Sequence, residues 1–235
     1  METPDPSTLL HVWERGASRS AAVRGLLLLA AALPGTPTPT LAKLSIGRRD
    51  AALLDLRERV FGSQLDCIMT CEQCGEQIAL EFPVDRIRAP SPQGETTFRV
   101  EIDGYDVQFR LPHSEDLMAL GHETEGDRAE QQLLARCVLE ASALPAGVVA
   151  AVDRRMGELD PQAEVLLDMT CPACEQPHRA LFDIVTHLWS EIDVWARSFM
   201  RDIHSIAVAY GWSESQILAL SGARRRAYLD LIGVC

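Results

Sequence analysis

Met69-Thr70-Cys71-Glu72-Gln73-Cys74 and Met169-Thr170-Cys171-Pro172-Ala173-Cys174 stand 100 positions apart and share both their entry and their spacing. Each pair is followed at the same offset by a phenylalanine, Phe82 in the first and Phe182 in the second. An apolar segment leads into each, Leu65-Asp66-Cys67-Ile68-Met69 and Val165-Leu166-Leu167-Asp168-Met169, and an extended return follows. These read as two copies of one knuckle, a hairpin whose tight turn presents two thiols. Together they supply the four thiolates of a tetrahedral zinc site. The expectation is a zinc ribbon split by a long insertion, with Cys71, Cys74, Cys171 and Cys174 holding one structural Zn2+ ion. A closed shell of four thiolates leaves no position for water or substrate, which is the structural kind of site.

A thioredoxin-like reading would want one CxxC at the start of a helix beside a strand, whereas both pairs here sit between strand-like runs. Disulfides are disfavoured by the odd count of seven cysteines and the lack of a signal-peptide pattern, which point to a reducing cytoplasm. Cys67, Cys137 and Cys235 have no paired spacing and read as small core residues, or a loose tail for the last. His178 reads as a polar residue of the second return strand, since four cysteines already fill the shell.

The 235 residues are 47% apolar and 24% charged, the profile of a folded protein with a proper core. The longest apolar run, from Gly25 to Leu33, is far short of the roughly 20 residues that cross a bilayer, so no membrane contact is expected. A formal charge of −12 argues against a nucleic-acid partner, because phosphate binding rests on clustered Lys and Arg. The one basic run, Arg224-Arg225-Arg226, reads as the solvated face of a C-terminal helix, with contact to an acidic partner as the lesser reading.

Five segments follow along the chain. Residues 1–62 are helical: Asp5-Pro6 opens a helix that stops near Gly16, Ser18 or Ser20 caps one running to Leu33, and a third runs from Ser45 to Gly62. Pro34-Gly35-Thr36-Pro37-Thr38-Pro39 between them reads as a linker or extended loop. Residues 63–90 form the first knuckle, and 91–160 are inserted. In the insertion, Phe98–Ile102 and Tyr105–Leu111 alternate about an Asp103-Gly104 turn, a β-hairpin with one wet face. Helices then start at Ser114 and span 127–143 and 145–159. Residues 161–182 form the second knuckle. In 183–235, Ile184, Leu188, Ile192, Trp195, Phe199, Ile203, Ile206 and Tyr210 draw one apolar stripe about seven turns long, ended by Gly211. Ser213 and Gln216 form a capping box for a short helix, and a last helix carries Tyr228 and Leu229. Trp189, Val194 and Met200 lie off the stripe and leave surplus apolar surface for an interface. The fold class is α+β, mainly helical, with the split four-cysteine ribbon and the inserted hairpin.

No catalytic set emerges. His113-Ser114-Glu115 with Cys171-Pro172-Ala173-Cys174 approaches the zinc deaminase signature, but the proline follows the first cysteine, and Cys71 and Cys74 would be left without a role. Phosphate-binding, dinucleotide, metalloprotease and serine-hydrolase motifs do not occur.

The order of parts resembles a known family. Trp13-Glu14-Arg15-Gly16, the Cys71 knuckle, the Asp103-Gly104-Tyr105 hairpin ending Phe109-Arg110-Leu111-Pro112, and Cys171-Pro172 are similar to the baseplate proteins of T-even-like contractile phage tails and phage-like contractile injection systems. Phe182-Asp183-Ile184, Leu188-Trp189, Tyr210-Gly211-Trp212-Ser213-Glu214 and Ile217–Ser221, followed by Tyr228-Leu229, continue the likeness, which covers residues 8–232. The resemblance implies a non-enzymatic role in building the baseplate hub, as hub component or assembly chaperone. The partners would be hub or spike proteins, met in the bacterial cytoplasm during assembly or in the baseplate of the finished tail. Self-association and the hub subunit contacted stay open. The zinc site rests on this sequence alone and not on the family. The other class of function is a zinc-ribbon adaptor in transcription or translation.

Overall fold

The computed structural model describes residues 1–90, 94, 96–121, 126–139 and 144–233. Cys235 and the last residues of the helix expected over 127–143 lie outside them. Among the described residues the chain is mainly helical, with three separate two-stranded antiparallel hairpins.

Local chemistry explains most boundaries. Helix α1 (Pro6–Gly16) starts where the Asp5 carboxylate accepts from the Thr8 N–H at 2.9 Å, with Pro6 at the first helical position, where its missing N–H costs nothing. Helix α2 (Ala21–Ala32) follows Ser20. The segment expected as a linker then folds into a short helix, α3 (Thr38–Ala42). Pro39 stands in its first turn, where no intrahelical N–H is required, and burial of Leu41 and Ala42 holds that turn against the core. Helix α4 (Ile46–Phe61) is capped by the Ser45 hydroxyl.

Strands β1 (Gln64–Thr70) and β2 (Gln77–Pro83) make the first knuckle, and a short 3-10 turn, Val84–Ile87, follows. The inserted segment holds β3 (Phe98–Ile102), β4 (Tyr105–Phe109), α5 (Ser114–Leu120), α6 (Gly126–Cys137) and α7 (Ala146–Leu159). Helix α6 stops short of the expected 143 because Val138 bridges to Phe109, and the Leu139 N–H donates to the Gln108 carbonyl at 2.9 Å. A strand edge takes over the backbone groups that helix continuation would have used. The second knuckle is β5 (Val165–Thr170) and β6 (Pro177–Phe182), and it runs directly into α8 (Ile184–Tyr210), 27 residues long. Gly211 ends α8 in the left-handed conformation at φ 68°. Helices α9 (Glu214–Leu218), with the Ser213–Gln216 capping box, and α10 (Gly222–Leu231) fold back on it. No helix among the described residues is long and apolar enough to cross a membrane.

The main core gathers α1, α2, α4 and the first half of α8 around Leu28, Leu53, Leu188 and Ile192, with Leu65 and Phe82 of the first knuckle. The insertion has its own core of Val107, Phe109, Leu134, Cys137, Val148 and Val152. The second half of α8 packs Phe199, Ile203 and Ile206 against Leu10 and Ile217.

Trp189 is not spare surface: only 7% exposed, it lies against Gly16, where any Cβ would collide with the indole, and the Arg24 guanidinium sits 4.6 Å from its ring. Arg24 also donates to the Gly16 and Ala17 carbonyls, satisfying the end of α1. Val194 and Met200 are exposed, as their place off the stripe suggested. Within the basic run, Arg224 and Arg226 are solvated, but Arg225 turns inward, 4.8 Å over the Phe199 ring, and donates to the Leu220 carbonyl. The triplet is therefore not one continuous basic face.

Two charged clusters join segments. Arg57 of α4, almost fully buried, binds Glu191 of α8 in bidentate fashion at 3.0 and 2.6 Å and donates to the Gly62 carbonyl at 2.7 Å. Asp116, with no accessible side chain, receives both Arg110 terminal nitrogens at 2.6 and 2.7 Å, Arg136 Nε at 3.0 Å and the His113 N–H at 3.1 Å. Burial alone would raise the Glu191 carboxyl, but His187 and Arg57 outweigh it and hold it below 4.5. At Asp116, burial is likewise outweighed by Arg110 and the His113 N–H, which hold the carboxyl below 3.8.

Glu191→Ala should cost about 3 kcal/mol by leaving Arg57 buried and unpaired, while Arg57→Met with Glu191→Leu should recover most of that. Denaturant unfolding of the three proteins measures it. Because both carboxyls have depressed values, their stabilisation is complete above their ordinary values of 4.5 and 3.8 and is lost as pH falls below them. Thermal melts from pH 6 to pH 3 should show a falling midpoint, with a shallower fall for Asp116→Asn if that variant folds.

Candidate metal centre

Strands β1 and β5 deliver the first cysteine of each pair into a turn whose backbone bonds match. The Cys71 N–H donates to the Glu76 carbonyl at 2.8 Å and the Gly75 N–H to the Cys71 carbonyl at 2.9 Å. In the second knuckle the Cys171 N–H donates to Gln176 at 3.0 Å and the Glu175 N–H to Cys171 at 2.9 Å. The turn requires a left-handed residue just after the second cysteine. Gly75 supplies it at φ 76°, without a Cβ to clash, whereas its counterpart Glu175 is forced to φ 57°. The sequence repeat thus extends to backbone geometry, and the second copy is the strained one.

The two turns meet face to face. Cys71 Sγ lies 3.7 Å from Cys174 Sγ, and Cys74 Sγ lies 3.7 Å from Cys171 Sγ, a reciprocal pairing across the junction. All four sulfurs fall within 4.8 Å of one another, so the structure brings together the four cysteines that the spacing singled out, and they could hold a metal ion. The separations suit one ion: a tetrahedron with metal–sulfur bonds of about 2.3 Å has edges of about 3.8 Å. They do not suit disulfides, whose sulfurs stand about 2.05 Å apart. Nor does either pair open a helix, as a redox CxxC would.

Cys71 and Cys171 are buried with Ile78, while Cys74 is exposed and Cys174 half-buried. One side of the cluster is therefore packed and the other faces solvent. The thiols do not share charge evenly. Burial opposes ionisation of Cys71, but the N–H groups of Cys74 and Gln73 outweigh it and lower its thiol. At Cys74 the Glu76 N–H favours the thiolate, yet the Cys71 sulfur and desolvation push it up. A cation would convert all four to thiolates and release protons, so affinity for it rises with pH.

His178 occupies the second return strand, opposite Met169, as its position suggested, but its Nε2 is also 2.9 Å from Cys71 Sγ. With the proton on Nε2 it donates to that sulfur and orients it, the part outer partners play around metal ligands. Strand alternation alone gave no signal for this contact, which links the two knuckles. Of the other cysteines, Cys137 is fully buried in the insertion core, as expected, whereas Cys67 is half-buried with its Sγ 3.8 Å from His187 Nδ1.

A family model described as T4 bacteriophage base plate protein matches residues 32–153, just over half of the chain. The match includes the first knuckle and most of the insertion and stops before the second knuckle and α8. No curated protein and no solved structure matches the chain.

Relief of the strained turn is measurable. Glu175→Gly should raise stability by about 1 kcal/mol, since the left-handed cost falls only on residues with a Cβ, and Gly75→Val should lower it by a similar amount or more. Equilibrium unfolding of both variants tests the difference.

Proposed function

The chain belongs to the T4 bacteriophage base plate protein family, and from that premise we propose that it acts without catalysis in the hub of a contractile tail's baseplate, as hub component or hub assembly chaperone. In this reading the two knuckles are one split zinc ribbon, and zinc bound by Cys71, Cys74, Cys171 and Cys174 serves as a structural staple. Membership of the family implies contact with other baseplate proteins; hub or spike proteins are the partners we propose.

The observation that carries the reading is the position of the sulfur cluster. It joins the hairpin that leaves α4 to the hairpin that enters α8, so an ion there would set how the N-terminal helices face the long helix. Zinc fits because it favours tetrahedral thiolates and has no redox chemistry of its own to disturb them, and four protein ligands leave no open position for a reaction. An ion that exists only in the folded arrangement adds its binding free energy to folding. The acidic charge of −12 and the inward turn of Arg225 give no support to a nucleic-acid adaptor.

Purified protein should contain one zinc per chain by elemental analysis, and chelation should lower its melting temperature by several degrees or more. Cys71→Ser with Cys171→Ser should unfold the protein or loosen the inserted segment; a double variant that remains as stable as the parent would sink the staple. For the biological role, a tagged chain recovered from its native host should carry hub or spike proteins by mass spectrometry. Absence from purified finished tails would then mark an assembly chaperone, and presence a hub component. Recovery of neither kind of partner, together with salt-sensitive binding to DNA or RNA, would instead favour the adaptor.

A further inference from the structure

The sheets of the two knuckles each stop at two strands, so both have an unpaired edge among the described residues. In the first, the Val84 N–H donates to the Ser63 carbonyl and the Cys71 N–H to the Glu76 carbonyl, both at 2.8 Å. Ladder bonds therefore fall on the odd-numbered residues of β1, and in an antiparallel pair the alternate residues point their N–H and C=O groups away from the partner. Those of Asp66 and Ile68 face outward. The same alternation, fixed by Cys171 bonding Gln176, turns out Leu181 of β6.

Both edges border a cavity of about 740 Å³ whose far wall is α8. Ile68, Leu181 and Val194 on it are 73%, 60% and 68% exposed, large apolar side chains beside unpaired backbone. Native proteins usually blunt such an edge with lysine or proline, and β1 carries neither. The charge around the cavity is one-sided. Its carboxylates are Asp66, Asp183 and Glu191, and its one basic lining group is His187. Glu191 is matched by Arg57 and His187, and Asp183 accepts from the Val185 N–H and the Thr186 hydroxyl as the cap of α8, so Asp66 is the carboxylate turned to the space, with Asp183 adding its charge from the cap.

We propose that the free edge of β1 and this groove form a strand-addition site for an extended segment of another baseplate protein, one that alternates apolar and basic residues. The identity of the partner class rests on the baseplate reading above. Main-chain bonds to Asp66 and Ile68 would supply register, apolar side chains would enter the groove over Phe182 and Trp195, and basic ones would meet Asp66 and Asp183. A second copy of this chain is the poorer occupant, because a molecule of net charge −12 brings an equally acidic rim to the contact.

The test uses the full chain at about 0.15 M salt and two capped eight-residue peptides, one alternating Val and Lys, the other Val and Glu. The Val-Lys peptide should slow amide hydrogen exchange at Asp66 and Ile68 by about tenfold or more at saturation, and the Val-Glu peptide should not. Ile68→Pro deletes an outward N–H without touching the ladder and should abolish the protection. Ile68→Lys keeps the backbone intact, sets a like charge beside the peptide's lysines and should weaken binding about tenfold, which preserves the test if the proline variant fails to fold. No protection at β1, equal protection by both peptides, or indifference to Ile68→Lys overturns the proposal. So does a concentration-dependent dimer of the chain that Ile68→Lys dissolves, which assigns the edge to self-pairing. Capture of baseplate proteins equally by the parent and by Ile68→Lys would leave the baseplate role standing and remove the strand-addition site. Peptide protection without capture of any baseplate protein would do the reverse, removing the baseplate partner.

Discussion

Four sulfur atoms from turns 100 residues apart converge within 4.8 Å, and that junction links the hairpin that follows α4 to the hairpin that precedes α8. The first knuckle begins three residues after α4 ends, and the second ends two residues before α8 begins. Bringing the turns together therefore brings the end of α4 and the start of α8 side by side. Arg57 and Glu191 then meet, and Phe82 packs edge-on to Phe182 with ring centroids 6.3 Å apart. Closing a loop of roughly 100 residues costs several kcal/mol of chain entropy, an expense that a small sulfur cluster with Ile78 and Met169 around it is poorly placed to meet by packing alone. An ion on the sulfurs would meet it directly.

The insertion between the knuckles solves its own folding problem. Its hairpin buries Val107 and Phe109 on α6 and α7, and the polar groups at the hairpin's exit are gathered by one carboxylate, Asp116. That carboxylate caps α5 while binding Arg110 at the end of β4 and Arg136 near the end of α6, so one buried charge fixes three elements. Among the described residues, contact with the rest of the molecule includes the packing of α5 on α2, the Ser45–His113 bridge, the Ile46 N–H on the Pro112 carbonyl, and the Asp160 carboxylate on the Gly47 N–H at 2.8 Å. Gly47 is needed there, since a Cβ would overlap that carboxylate.

The separation of the knuckles into two two-stranded hairpins has a structural consequence for the surface. A sheet of more strands would pair its interior edges, whereas two hairpins apposed through sulfur and phenylalanine leave their edges open beside α8. The exposed apolar residues of the long helix continue from Val194 through Met200 to Val208, away from its buried stripe. A baseplate protein has to present contact surface to neighbours, and this one concentrates apolar area where the knuckles meet the helix.

The sequence by itself determined what depends on local spacing. The repeated CxxC with matched flanks marked both hairpins, the alternation about Asp103-Gly104 marked β3 and β4, and the 3-4 stripe with Gly211 marked α8 to the residue, because strand, helix and cap each follow from chemistry a few positions apart. The four clustered cysteines were legible for the same reason: one turn written twice. Tertiary structure alone decided the fate of Trp189 against Gly16, the inward turn of Arg225, the pairing of Arg57 with Glu191, the contact of His178 with Cys71, the early end of α6 at Val138 and the helix begun by Thr38-Pro39. Each joins groups brought together by packing or held by burial rather than by sequence period, and a polar or aromatic side chain carries no periodic mark of the partner it will meet across the fold.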